Sequence, residues 1–413
     1  MNRQPYCRPP QWWGPRLTPW LIRLTQGHRR RTLFQRQRVT EVVCDGWEQV
    51  SSRWQAGDGV LITPNHSAHY DSTALYIAGD QHDTPLFFMT AWQVFGQAKW
   101  WERQLMQRLG CFSIDREAND RQAFKQAIEV LQSGPAPLVI FPEGDIYHTT
   151  DYVTPFREGA AAIALSAAKR ANRKIWVVPC GIRFRYEDDP MPGILQALEA
   201  MERRLHLRVA ADLPTPQRIH RLAEAALALK ELDYTEHTSE GMVRERIRQL
   251  AGTVLARVEA RHGLSNEDKG LPERVKAARQ TVIPLLEDPA DRADADDETG
   301  ARKSAAPIAS PDERRHLEQD MEDLFFVMQL YSYRGDYLDS NPTIERIAET
   351  VDKLEEDILD LQLPSVRGRR RVRIELGEPR EVEAARGRDA VEELTQWMQQ
   401  SVQTLVLDMA ART

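Results

Sequence analysis

The sequence predicts an α/β fold: a mostly parallel central sheet flanked by helices, with a large helical insert. Three observations predict it. Short apolar runs recur between residues 41 and 190. Segments with helical spacing separate those runs, as in successive strand–helix–strand units. Residues 191–286 then change character and hold only amphipathic helical patterns.

The runs are Gly59–Thr63 (GVLIT), Pro85–Met89 (PLFFM), Leu138–Phe141 (LVIF) and Ile175–Val178 (IWVV). Each is short, apolar throughout and ends near Pro, Asn or Gly. Such runs suit strands covered on both faces, the situation of a parallel sheet. Asp120–Gln132 and Gly159–Arg170 have the helical period between them. In the insert, Ile194–Arg208, Arg218–Leu232, Met242–Arg261 and Pro272–Leu286 read as amphipathic helices. Residues 287–312 lack aromatics and are rich in Asp, Ala, Pro and Ser, the composition of a disordered linker. Glu313–Leu361 reads as helix again, with Phe325–Leu330 as apolar core of the insert. Val372–Leu376 (VRIEL) alternates like a strand, and Asp389–Ala410 closes the chain as a helix. The expected organisation is therefore a basic aromatic arm (1–40), an α/β core (41–190), a helical insert in two parts (191–286 and 313–362) about the linker, and a closing strand and helix (363–413).

Charge is uneven. The net charge is −7, yet residues 1–40 hold nine arginines and no Asp or Glu. Trp12, Trp13, Trp20, Leu21, Ile22, Leu24 and Phe34 accompany those arginines, a mixture suited to an anionic lipid surface. A solvated arm folded back on the acidic body is the alternative. Nucleic acid is not an expected partner, because the remainder of the chain repels phosphate. Mean hydropathy is −0.54 and no apolar run is long enough to span a bilayer, so the expected location is the cytoplasm, peripheral on the membrane's cytoplasmic face. Cys7, Cys44, Cys111 and Cys180 are scattered without a CxxC spacing, which argues against a disulfide framework or a cysteine metal site.

Four polar segments follow the apolar runs. Asn65-His66-Ser67-Ala68-His69-Tyr70-Asp71 follows GVLIT. Five residues on a straight helix turn through about 500°, so His66 and Asp71 meet only if one stands on the turn and the other enters the helix. A carboxylate holding one imidazole nitrogen leaves the other as a base. The other segments are Gly110–Arg116 (GCFSIDR), Phe141-Pro142-Glu143-Gly144 and Val178-Pro179-Cys180-Gly181-Ile182. His69 stands as a second titrating group or a surface residue of the first helical turn. Tyr147 and His148 read equally as substrate contacts or loop packing. Trp92, Trp100 and Trp101 read more simply as core than as an acyl-chain groove.

In this order the four segments resemble the glycerophosphate/lysophosphatidate acyltransferase family, with its N-H-x4-D, G-x-x-F-x-x-R, F-P-E-G and V-P blocks. Phe156–Ala160 (FREGA) and Val372–Pro379 (VRIELGEP) extend the likeness. The resemblance implies an O-acyltransferase moving a fatty acyl group from an acyl thioester, acyl-CoA or acyl-ACP, to the hydroxyl of a glycerolipid or lysophospholipid. It implies His66 as general base, oriented by Asp71. Asn65, Arg116, Glu143, Gly144, Arg157 and Pro179 would bind or shape the substrates, with Arg116 on the acceptor's phosphate. No metal and no resident cofactor are implied. Asp145-Ile146-Tyr147-His148 departs from the family's T-R-S after FPEG. An acid there implies a less anionic acceptor than lysophosphatidate, or Arg157 in place of the missing cation. Two readings from other classes stand beside this one: a metal-dependent hydrolase with His66, His69 and Asp71 as ligands, and a non-catalytic lipid-binding scaffold.

Overall fold

Eight strands and the helices around them come from a computed structural model that describes residues 12–116, 120–265, 268–286, 310–339, 342–384 and 387–412. The strands are β1 (Val39–Asp45), β2 (Gly59–Pro64), β3 (Phe87–Ala91), β4 (Cys111–Ile114), β5 (Leu138–Val139), β6 (Ile175–Tyr186), β7 (Arg370–Leu376) and β8 (Arg380–Glu381). The helices before the insert are α1 (Pro19–Gln37), α2 (Glu48–Gln55), α3 (Asp71–Gln81), α4 (Trp92–Gln97), α5 (Trp100–Arg108), α6 (Arg121–Ser133), α7 (Gly159–Ala168) and α8 (Met191–Arg204). Then follow α9 (Thr215–Thr235), α10 (Val243–Arg261), α11 (Leu271–Leu286), α12 (Pro311–Tyr331), α13 (Ile344–Leu359) and α14 (Arg388–Ala411). The chain divides into two units, Gln11–Val209 with Pro342–Thr413, and Ala210–Asn341.

The first unit is built on one sheet in the order β1-β7-β6-β2-β5-β3-β4, with β8 beside β6. It is mostly parallel; only β6 with β7 and β6 with β8 run antiparallel. β2 is buried along its whole length because both neighbours and both faces are covered, hence its unbroken apolar run. Val60 and Ile62 face one core with residues of α2, α3 and α4, while Leu61 faces the other with α6, α7 and α14. That is the period-2 alternation of a strand between two helical layers.

β6 extends eight residues past the expected IWVV run. Its first half pairs with β2 and its second half with β7. Nothing local in the sequence signals that long-range partner. LVIF contributes only Leu138 and Val139 to the ladder. The expected helix Glu313–Leu361 is two helices, α12 and α13. The first ends at Tyr331 with Ser332 as its C-cap, Gly335 turns in the connection with φ +76°, and Thr343 caps the second by accepting from the Arg346 N–H at 3.3 Å.

Part of the arginine-rich segment is interior. Leu33 of α1 and Trp13 lie in the core. Buried Arg29 forks onto Asp80 of α3 at 2.6 Å and 3.0 Å. Trp20, Leu24 and Phe34 remain exposed. Trp92 is core as expected, but Trp100 and Trp101 are 76 % and 49 % exposed, so core packing is the wrong account of those two.

The second unit packs α10, α11 and α12 around Leu250, Val254, Val258, Val275, Val282, Leu324 and Val327. Phe326, Met328 and Leu330 are buried there, as expected of an insert core. Ser310 and Glu313 form a reciprocal cap at the start of α12. The expected linker, apart from residues 310–312, lies outside the described residues, as do residues 1–11 of the arm. Among the described residues no helix is long and apolar enough to cross a membrane.

Candidate active site

The candidate site stands where β2 ends. In an open α/β sheet the carboxyl ends of the strands are where ligands bind. The first residue past β2, Asn65, is buried, and both ends of its amide engage Ile182 of β6: Nδ2 donates to the carbonyl at 3.0 Å and Oδ1 accepts from the N–H at 2.7 Å. Asn65 therefore ties the loop to the sheet.

His66 follows on the turn and Asp71 is the first residue of α3. Their separation of five residues closes because only one of them is helical. His66 Nδ1 lies 3.0 Å from Asp71 Oδ2, and since a carboxylate only accepts, Nδ1 carries the proton. The same oxygen accepts from the Ala68 N–H at 2.9 Å. Asp71 is wholly buried and sits at a helix N-terminus, where a negative charge is favoured. Phe141 flanks the imidazole, with ring centres 4.2 Å apart. The His66 side chain is 17 % exposed. Among the described residues nothing bonds Nε2, which leaves it as a proton acceptor.

Glu143 is buried and holds two loops together. Its Oε1 accepts from the His66 N–H at 2.6 Å and its Oε2 from the Thr154 N–H at 2.9 Å. Burial pushes its carboxyl up to about 8, although those two N–H groups favour the ionised form. Glu143 thus holds the His66 backbone in place.

Gly144 has φ +78°, and a Cβ there would stand 2.5 Å from Arg157 Nε; conformation and space both require glycine. Arg116 donates to the Gly144 carbonyl and lies 3.7 Å from Asp145. Burial would raise the Asp145 carboxyl, but Arg116 and Arg157 outweigh it and hold the group below its ordinary range. Arg116, Arg157 and Asp145 thus gather around one turn. Pro179 is inside β6, where its carbonyl accepts from the Gly377 N–H at 2.8 Å. That places it in the sheet.

The ligand set of the hydrolase reading does not assemble. His66 turns to Asp71, while His69 turns away to Glu356 of α13, with Nε2 2.7 Å from Oε1. His148 Nε2 is 3.2 Å from the same oxygen. Burial would raise the Glu356 carboxyl; the two imidazoles facing it hold it below its ordinary value. Burial lowers His148 and brings Lys353, also on α13, down to about 7. His148 and Tyr147 are both buried, as loop packing requires.

Sequence reasoning missed α13 altogether as part of this unit. The sequence assigns it to the second part of the insert, yet Asp352, Lys353, Glu355 and Glu356 are buried within the α/β unit. Arg367 pairs with Asp352 and, at 2.7 Å, with Glu355. The high density of acids on one short helix is the only local signal, and it resembles that of any exposed helix.

The α/β unit thus sets a carboxylate-paired histidine at a strand end, with two arginines around a neighbouring glycine turn. Residues 42–183 match the family model described as Acyltransferase. This stretch is an acyltransferase domain, of the family of glycerophosphate and lysophosphatidate acyltransferases. A search of curated proteins finds no match.

Proposed function

We propose that this domain transfers a fatty acyl group from an acyl thioester, acyl-CoA or acyl-ACP, to a hydroxyl of a glycerolipid or lysophospholipid. The observation that carries this reading is the His66–Asp71 pair, 3.0 Å apart with Nε2 turned from the carboxylate. Nε2 takes the proton of the acceptor hydroxyl as its oxygen attacks the thioester carbonyl. The C–S bond then breaks and the imidazolium returns the proton to the leaving thiolate. Asp71 keeps the tautomer and steadies the imidazolium. No covalent enzyme intermediate is needed.

The charge around the turn narrows the acceptor. Arg116 and Arg157 bring two positive charges and Asp145 returns one negative. The remaining single charge balances a phosphodiester better than a phosphomonoester, so the favoured acceptor is a lysophosphodiester lipid. Exposed Trp20, Leu24, Phe34, Trp100 and Trp101 support contact with the surface of the membrane that supplies it, on the cytoplasmic face.

The test is thiol release from acyl-CoA and acyl-ACP with a panel of lysophospholipids, using wild type and His66→Ala. Transfer by wild type and its loss in the variant is the expected result. Undiminished transfer by His66→Ala removes the base assignment.

A further inference from the structure

Three metal-ligating side chains meet beside the His66–Asp71 pair without taking part in it. His69 lies in the loop after β2, His148 in the loop after the FPEG turn, and Glu356 on α13. Their ligand atoms all lie within 4.8 Å of one another. Both imidazoles present Nε2 to Oε1 of Glu356, at 2.7 Å and 3.2 Å. His148 Nε2 is buried, and Glu356 Oε1, at 3.2 Å, is its partner there without good hydrogen-bond alignment.

Two imidazoles and one carboxylate are a donor set that zinc accepts with three protein ligands and one open position. Tetrahedral zinc with ligand bonds near 2.0–2.1 Å needs its donor atoms roughly 3.3 Å apart. The two N–O separations, 2.7 Å and 3.2 Å, lie below that value and all the ligand atoms are within 4.8 Å of one another, so side-chain rotation is what admits the ion. A way in exists. Both imidazoles line a cavity that Ser67, Thr150, Glu349 and Arg370 also border, and Ser67 Oγ within it is buried without a hydrogen bond. That cavity would supply the water of the fourth position.

We propose that His69, His148 and Glu356 form a zinc site that pins α13 and the 145–150 loop to the loop carrying His66. The ion is bound apart from the base, because His66 and Asp71 keep each other. The donor chemistry favours zinc over magnesium or calcium, which prefer all-oxygen shells.

The experiment uses the full chain, stripped with a chelator and titrated with zinc chloride, and in parallel with cobalt(II) chloride. The expected result is one zinc per chain, a visible tetrahedral cobalt spectrum, and a Tm that rises with zinc but not with magnesium. His148→Ala and Glu356→Gln should weaken zinc binding by at least about 100-fold, since metal affinity rests on the complete ligand set. His66→Ala should bind zinc like wild type. A wild-type chain that binds no stoichiometric zinc and whose Tm zinc leaves unmoved overturns the site, however the variants fold. So does binding undiminished in His148→Ala. The acyltransfer reading is judged separately, by thiol release from His66→Ala.

Discussion

His66–Asp71 in the α/β unit and His262–Asp320 in the helical unit are the same chemical pair, 3.0 Å and 2.7 Å apart. Exposure does not separate them either, with the two histidine side chains 17 % and 12 % exposed. Geometry does. His262 ends α10 and meets its carboxylate through Nε2, and Arg261 already holds the same carboxylate at 2.5 Å. A permanent cation has neutralised Asp320, so that pair fastens α10 to α12. Asp71 instead receives Nδ1 and one backbone N–H, and Nε2 is directed elsewhere. The two pairs thus differ in which imidazole nitrogen meets the carboxylate and in whether an arginine forms an ion pair with that carboxylate.

The largest expected effect breaks the symmetry outright. His66→Ala should lower acyl transfer by about 10²–10⁴-fold, the usual worth of a general base, with Tm unchanged. His262→Ala should leave the rate within about twofold. Equal losses in a thiol-release assay would erase the distinction drawn between the pairs.

Glu143→Gln probes what supports the first pair. Its amide would set an N–H against one of two backbone N–H donors. The expected cost is about 1–3 kcal/mol in denaturant unfolding, with a fall in rate because His66 shifts. The pH dependence follows from the raised carboxyl. The folded form holds its proton up to about 8, against an ordinary value of 4.5. Its contribution is therefore complete below 4.5 and is lost as pH rises through 8. Unfolding free energy of wild type should decline across that window more steeply than that of Glu143→Gln. Parallel pH profiles would show that Glu143 is ionised throughout.

A smaller effect is expected from Asp145→Asn. Removing one negative charge between Arg116 and Arg157 should move acceptor preference toward phosphomonoesters by roughly tenfold, about 1.4 kcal/mol. Competition between lysophosphatidate and a lysophosphodiester in one assay reads it directly. The smallest effect should be on vesicle binding: Trp100→Ala should weaken sedimentation with anionic vesicles modestly, and an unchanged fraction bound would assign that tryptophan another role.

Much of this was legible. GVLIT and IWVV announce buried strands because both faces of a parallel strand need apolar residues. His66 and Asp71 meet through a turn and one helix start, which local spacing describes. Other features carried no readable sign. Charged residues on α13 look solvent-facing to a periodicity argument, and distant partners such as Arg367, Ser365, His69 and His148 make their burial tolerable. Asn65 gave no sign that its amide engages Ile182. Trp100 and Trp101 looked like core because aromatic residues on a short helix usually are.

What the chain determined by itself is what short-range physics controls: the alternation of strands and helices, and a histidine within reach of an acid five residues on. What tertiary structure decided is which distant groups share an environment. Glu356 reaches His69 across 287 residues, and Thr154 shares Glu143 with His66. Such meetings depend on the order of strands in the sheet. Hydrogen bonds and charges act over a few ångströms of space, and sequence distance does not measure that.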